Sequence, residues 1–460
     1  MSAAAYAIEQ GRPEKAIEML EQGRGMLWSS FRGYRQSIEG VRQVDAPLAG
    51  RFKATSEQLE VLATSQPKSH QSGPNQAGDE SLAISEARWP RQRQLSLELA
   101  EITQEIRQLE GFERFLRAVP FSELQNAASA GPVIIVNVAE RRSDVIVIIL
   151  CQFKAPTVLP LTVGGQNSKE AYLTILKLSK LLFNERGRVG FSDTLENTIL
   201  KKLAELLVTP VLKALERLGV PEKSRVWWCP TSALCALPIH AAGQMPNKYI
   251  SSYTPTLSAL INARASHDRQ PLASLDASNY KSPSILTIIH PGHPPKTENE
   301  PDDRLLMVLT ECSVIAKSGG PNRVHSLTKA DATRMAVLDQ LSSYPWAHFA
   351  CHGRLNTSEP FQSAFELEDD PLSLSDLVQA RLPNTDFAFL AACDSATSGG
   401  TSTTPDESLH LAAAVQFCGV RSVVGTLWPM ADEDGPRLKC SIDICSRRMT
   451  RKSPPRPFTK

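Results

Sequence analysis

The chain has 460 residues, 42% hydrophobic and 22% charged, with a formal net charge of +1. This is the balance of an ordinary folded protein, long enough for two or three domains at roughly 150 residues each, and it has no bias toward nucleic acid or an anionic membrane. Nine cysteines with no paired framework point to thiols in a reducing compartment, with the cytoplasm as the default.

The N-terminus lacks a basic-then-apolar leader. Residues 3–40 read as a helical pair: Ala3–Gln10, a Gly11-Arg12-Pro13 turn, then a helix with Ala16, Met19, Leu20, Met26 and Leu27 at core spacing. This pair resembles one helix–turn–helix unit of a tetratricopeptide-like repeat, and helical pattern continues to Ala63. A Ser/Gln/Pro/Gly-rich stretch at 65–80 reads as a linker and the preferred site of limited proteolysis. Residues 81–131 form a helical connector, with Leu82–Leu109 broken or kinked near Pro90.

The pattern changes at Pro132. VIIVNV and DVIVIIL are β-branched and strand-like, joined by the charged turn ERRS. The stretch from Val133 to Phe153 is too charged, at Glu140, Arg141, Arg142 and Asp144, to supply the roughly 20 apolar residues of a membrane span. Strands RVWWC, ILTIIH, WAHFAC, FAFLAA and SVVGTLW then alternate with helices Glu196–Leu218, Asp303–Ala316, Ala330–Leu341 and Pro405–Phe417, the last capped by Thr404. Near-continuous apolar strands separated by helices imply a mostly parallel sheet covered on both faces.

Two of these strands end on reactive residues. WAHFACHG ends on His352-Gly353, and FAFLAACDSA on Cys393-Asp394, 41 residues beyond the histidine. Sites in open parallel sheets form outside the carboxyl ends of strands. If the two strands are neighbours, the spacing between them is enough for one crossover helix, for which Ser373–Ala380 is the candidate. A thiolate is the attacking form of cysteine, and an adjacent imidazole can take its proton. The N–H groups of Gly353 and Cys393 are candidates for stabilising an oxyanion. Cys351, one residue from His352, points to the opposite face of its strand.

HFACHG, FAFLAACDSA and PDESLHLAAAVQFCGVRSVVGTLWPMADEDGP, in this order, resemble the CHAT domain family, a caspase-like branch associated with tetratricopeptide repeats. WWCPTSALCALPIHAAG and SSYTPTLSAL fit the same pattern. The resemblance implies a caspase-like α/β domain over 132–436, with Cys393 as nucleophile and His352 as acid/base. It implies a cysteine endopeptidase acting on protein or peptide substrates, with no cofactor. Trp428 is a candidate subsite wall. Asp432 and Asp434 are candidate substrate contacts, whose charge would favour a basic residue before the cleaved bond. The rival is a catalytically silent scaffold that binds protein partners through its helical N-terminal region.

No metal site emerges from spacing. His348 and His352 on a strand lie roughly 13 Å apart, and Cys229 and Cys235 have no matching second pair. His290 and His293 in HPGH have no carboxylate spaced to complete a set. Between Arg437 and Lys460 stand eight basic residues against the single acid Asp443, a composition that predicts a disordered tail. Because the resemblance stops near Pro436, the expectation is an altered C-terminus that leaves one sheet face partly uncovered and the chain marginally stable.

Overall fold

The computed structural model describes residues 1–24, 38–64, 77–113, 115–150, 155–162, 168–265, 284–295, 302, 304–319, 323–356, 360–380, 382, 385–393, 395–396, 411–429 and 431–433; for 39, 60–64, 77–89, 92, 168, 265, 318–319, 360 and 417 only the backbone is described. It divides into two compact units, residues 25–119 as one and residues 1–24 with 120–460 as the other. These limits differ from the sequence boundaries at 64 and 131. The first helical pair is integrated with the α/β body rather than with the helices that follow it.

The helical unit holds α3 (Ile38–Val44), α4 (Ala46–Thr64) and α5 (Ala77–Ile106). Val41, Phe52, Ile102 and Ile106 are fully buried in its core, and Phe52 meets Phe115 edge-on at 5.3 Å. Residues 77–80, expected in the linker, belong to α5, and Pro90 lies inside this one helix rather than between two. The remainder of the expected linker and the basic tail lie outside the described residues.

In the α/β unit, α1 (Ser2–Glu9) and α2 (Pro13–Gly23) form the helical pair the sequence predicts, with Pro13 in the first turn of the second helix. Their core residues are small or aliphatic: Ala4, Ala5, Ile8, Ala16, Ile17 and Leu20. The Glu21 carboxylate accepts the N–H groups of Leu257 and Ser258 at 2.9 and 2.8 Å, capping α8 (Leu257–Ala265) from 236 residues away. Arg24, 5% exposed, reaches the Pro230 carbonyl and the Cys229 sulfur.

The strands that sequence reasoning assigns to one sheet form two. The first comprises β1 (Val133–Asn137), β2 (Asp144–Ile148), β3 (Thr157–Pro160), β4 (Arg225–Pro230) and β5 (Ile250–Tyr253), in the order β3-β2-β1-β4-β5. It is mixed: β1 runs antiparallel to β2 and parallel to β4. Every residue of β1 and β2 is buried. Ile134, Val136, Val145 and Val147 pack with Ile175, Leu178 and Leu182 of α6 (Ser168–Glu185) and with Leu203, Leu207, Val211 and Leu215 of α7 (residues 191–217). α7 includes two π-helical stretches, Leu195–Leu200 and Ala204–Val208.

The second sheet is entirely parallel, in the order β13-β12-β8-β6-β7. Its members are β6 (Ile285–Ile289), β7 (Val324–Thr328), β8 (Trp346–Ala350), β12 (Phe387–Leu390) and β13 (Ser422–Gly425). α9 (Val308–Gly319) and α10 (Arg334–Leu341) connect the first three. Between β8 and β12 lie three two-residue strands, β9 (Gly353–Arg354), β10 (Ala364–Phe365) and β11 (Leu372–Ser373), then α11 (Leu374–Gln379). α11 is the predicted crossover helix. Its start is fixed by a capping box, in which Ser373 and Asp376 exchange side-chain and backbone hydrogen bonds. α12 (Leu411–Phe417) is the described part of the helix expected from Pro405. β13 is an edge strand, half-buried throughout.

Candidate active site

β8 and β12 are parallel neighbours, with Phe349 opposite Leu390. His352 lies three residues past Phe349, and Cys393 three past Leu390. The common register therefore delivers the two residues level with each other at the carboxyl edge of the sheet. Both are half-buried. The Ala391 N–H donates to the Phe349 carbonyl at 2.8 Å, so the pairing persists to the last residues before the site.

Gly353 makes the closest approach between the two strand ends. A Cβ built there would fall well under 3.0 Å from the Cys393 carbonyl oxygen and 3.3 Å from its carbon. Only glycine fits. The Glu366 N–H donates to the His352 carbonyl at 2.9 Å, within the β9–β10 pair that sets Phe365 opposite Gly353. That bonding pattern turns the Gly353 N–H away from β10.

A second set of contacts fixes the turn after Cys393, and its residues carry no catalytic signature in the sequence. Ser395 is fully buried. Its hydroxyl oxygen donates to the Leu390 carbonyl at 3.3 Å and accepts the Thr426 N–H at 3.0 Å. The Thr426 hydroxyl in turn donates to the Ala392 carbonyl at 2.6 Å, beside the nucleophile candidate. β13 thus acts as the floor that the Cys393 turn is fastened to. The burial of Ser395 is visible only in the fold, so no sequence signal points to this pair.

On the other side of His352 lies the turn after β6. Gly292 has φ +94°, a left-handed conformation suited to glycine. Its Cβ position would stand 3.0 Å from His352 Nε2, an atom buried and without a hydrogen-bond partner among the described residues. His290 is held by its N–H to the Ala350 carbonyl at 3.0 Å. Burial, with the neighbouring charges of His293 and His352, pushes the His290 imidazole below its ordinary pKa.

Cys351 is 0% exposed, and burial drives its thiol well above the ordinary range. This agrees with a side chain on the face opposite His352. Cys312 is likewise pushed up to about 12, by burial and then by Glu311.

Residues 197–438 match the family model described as the CHAT domain, 242 of the chain's 460 residues. The chain belongs to the CHAT domain family. The match falls inside the α/β unit and takes in β4, β5, the whole parallel sheet, His352 and Cys393. CHAT domains are related to caspase-like peptidases, and the mixed and parallel sheets flanked by helices agree with that relationship. No curated protein matches the chain.

The remaining candidates in this CHAT domain sit apart in their bonding. Trp428 meets Phe191 edge-on at 5.4 Å and packs against the core of the first sheet. Asp432 accepts the Met307 N–H at 2.9 Å, next to the start of α9. Asp434 lies outside the described residues. The contacts found for Trp428 and Asp432 are packing and anchoring contacts, which a sequence pattern cannot distinguish from a subsite wall.

Proposed function

We propose that this CHAT domain is a cysteine endopeptidase in which Cys393 attacks the scissile carbonyl and His352 transfers the proton. The Cys393 sulfur forms the new bond to carbon. The imidazole takes the thiol proton and returns it to the departing amine, and water then releases the acyl group. The N–H groups of Gly353 and Cys393 are assigned to the oxyanion. Loss of one such donor costs about 2.7–4 kcal/mol of transition-state stabilisation in well-studied hydrolases.

One observation carries this reading: two adjacent parallel strands end level, on a histidine and a cysteine, with a glycine pressed against the cysteine backbone. The substrate is a protein or peptide, and the helical segments are assigned to protein partners. A cytoplasmic location fits the six described cysteines, none of which is in a disulfide. Among the described residues no helix is long and apolar enough to cross a membrane.

The test is a peptide-library screen of the full chain, with Cys393→Ala and His352→Ala as controls. Cleavage lost in both variants, with unchanged circular dichroism, is the expected result. Cleavage by the wild type that persists in Cys393→Ala would refute the thiol mechanism. Failure of Cys393 to react with a peptide electrophile would favour the scaffold reading.

A further inference from the structure

The HPGH turn after β6 gathers the partner that sequence spacing does not supply. Glu368, 75 residues downstream, follows β10 and brings its carboxylate to 3.5 Å from His290 Nε2. The His293 ring centroid lies 4.9 Å from that of His290. One ligand atom from each of His290, His293 and Glu368 lies within 4.8 Å of the other two. We propose that these three residues form a zinc-binding site on the rim of the crevice that holds His352.

Three features support it. First, His290 is 1% exposed, and the nitrogen it turns toward Glu368 is Nε2. Neutral imidazole is a common zinc ligand, and burial of the ring holds that lone pair in a fixed direction. Second, the spacing is close to what a tetrahedral ion needs. Two ligands each about 2 Å from zinc stand roughly 3.3 Å apart, and the His290–Glu368 pair is already at 3.5 Å. His293 and Glu368 are exposed, so their side chains are free to close the remaining gap and an ion has an open approach. Third, the turn is held in place by the backbone. The His290 N–H bonds Ala350, the Leu305 N–H bonds Pro291, and the Glu368 N–H bonds Ala332, so all three strands of chain that carry or flank the ligands are anchored.

Two imidazoles and one carboxylate are a borderline-soft donor set that favours zinc over calcium or magnesium and leaves one position open. The site is independent of the proposed peptidase chemistry: it includes neither Cys393 nor His352, and its test does not read activity.

The experiment is calorimetric titration of metal-stripped full-length protein with Zn²⁺, comparing wild type with His293→Ala and Glu368→Gln. Both changes are at exposed positions and should leave the fold intact, so the comparison does not depend on the buried His290. The expected result is one equivalent bound by the wild type and affinity at least about tenfold weaker in each variant. Co²⁺ substitution supplies a second readout, since thiolate-to-metal charge-transfer absorption would reveal cysteine ligation. Equal Zn²⁺ affinity in all three proteins, no stoichiometric binding by the wild type, or a thiolate signature in the Co²⁺ form would each overturn the proposal.

Discussion

Replacing Gly353 with alanine adds one methyl group where the chain leaves His352 and passes the carbonyl of Cys393. That methyl would sit well under 3.0 Å from the carbonyl oxygen and 3.4 Å from Ala392 Cβ. Neither neighbour is the loose end of a side chain. The Cys393 side is fastened through Ser395 and Thr426, and the His352 side through the Glu366 N–H. Relief therefore requires the two strand ends to separate by roughly 1 Å, a misplacement that can cost about a hundredfold in rate. A hundredfold loss corresponds to about 2.7 kcal/mol of barrier. Overpacking of this kind costs roughly 1–3 kcal/mol of stability, so the variant should still fold. The assay is the second-order rate of Cys393 alkylation by a peptide electrophile, read by mass spectrometry beside far-ultraviolet circular dichroism. A folded Gly353→Ala protein that alkylates at the wild-type rate would show that the close approach does not set the geometry of the pair.

Further outcomes follow from the same contacts. At neutral pH the electrophile should label Cys393 and leave Cys351 and Cys312 untouched, because burial holds both thiols protonated; Cys351→Ala should label as the wild type does. Ser395→Ala removes the acceptor of the Thr426 N–H and should cost about 1–3 kcal/mol in urea unfolding, with slower labelling of Cys393. Asp432→Asn keeps an acceptor for Met307 and should retain stability, whereas Asp432→Ala should lose about 1.5–3 kcal/mol, the range for hydrogen bonds to charged groups. If Asp432 instead reads substrate, Asp432→Asn alone would abolish any preference for basic peptides.

Four strands of the parallel sheet, β6, β8, β12 and β13, were legible as short, continuous apolar runs, whereas the edge strand β7, VHSLT and largely unburied, leaves no such trace and was not read from the sequence. The crossover helix was legible too, from the interval between the two strands, and the structure adds its cap at Ser373 and Asp376. Which strands share a sheet was not. VIIVN and FAFL look alike locally, and only hydrogen bonding between distant segments assigns one to the mixed sheet and the other to the parallel one. The hairpin strands β9 to β11 are two residues each, too short for any period to show. The same limit applies around the site. His352 and Cys393 announce themselves by chemistry at strand ends, but Glu368 beside His290 and Thr426 beside Ala392 are joined by topology alone. Trp428 illustrates the converse: an aromatic residue past a strand end suggests a cleft, and its ring packs on Phe191.

The helical unit has the status of an insertion. The chain leaves the α/β body after Arg24 and re-enters it at Pro120. The two stems stand together, because the Glu18 carboxylate accepts the Phe121 N–H at 3.0 Å while Glu21 and Arg24 hold α8 and β4. A fragment begun at Pro120 would lack these three side chains and leave the first turn of α8 bare. A graft that joins residue 24 to residue 120 by a short bridge would retain them. For anyone dissecting the protein, excision of the middle is the cut that respects the architecture, and removal of the N-terminal end is the one that damages it.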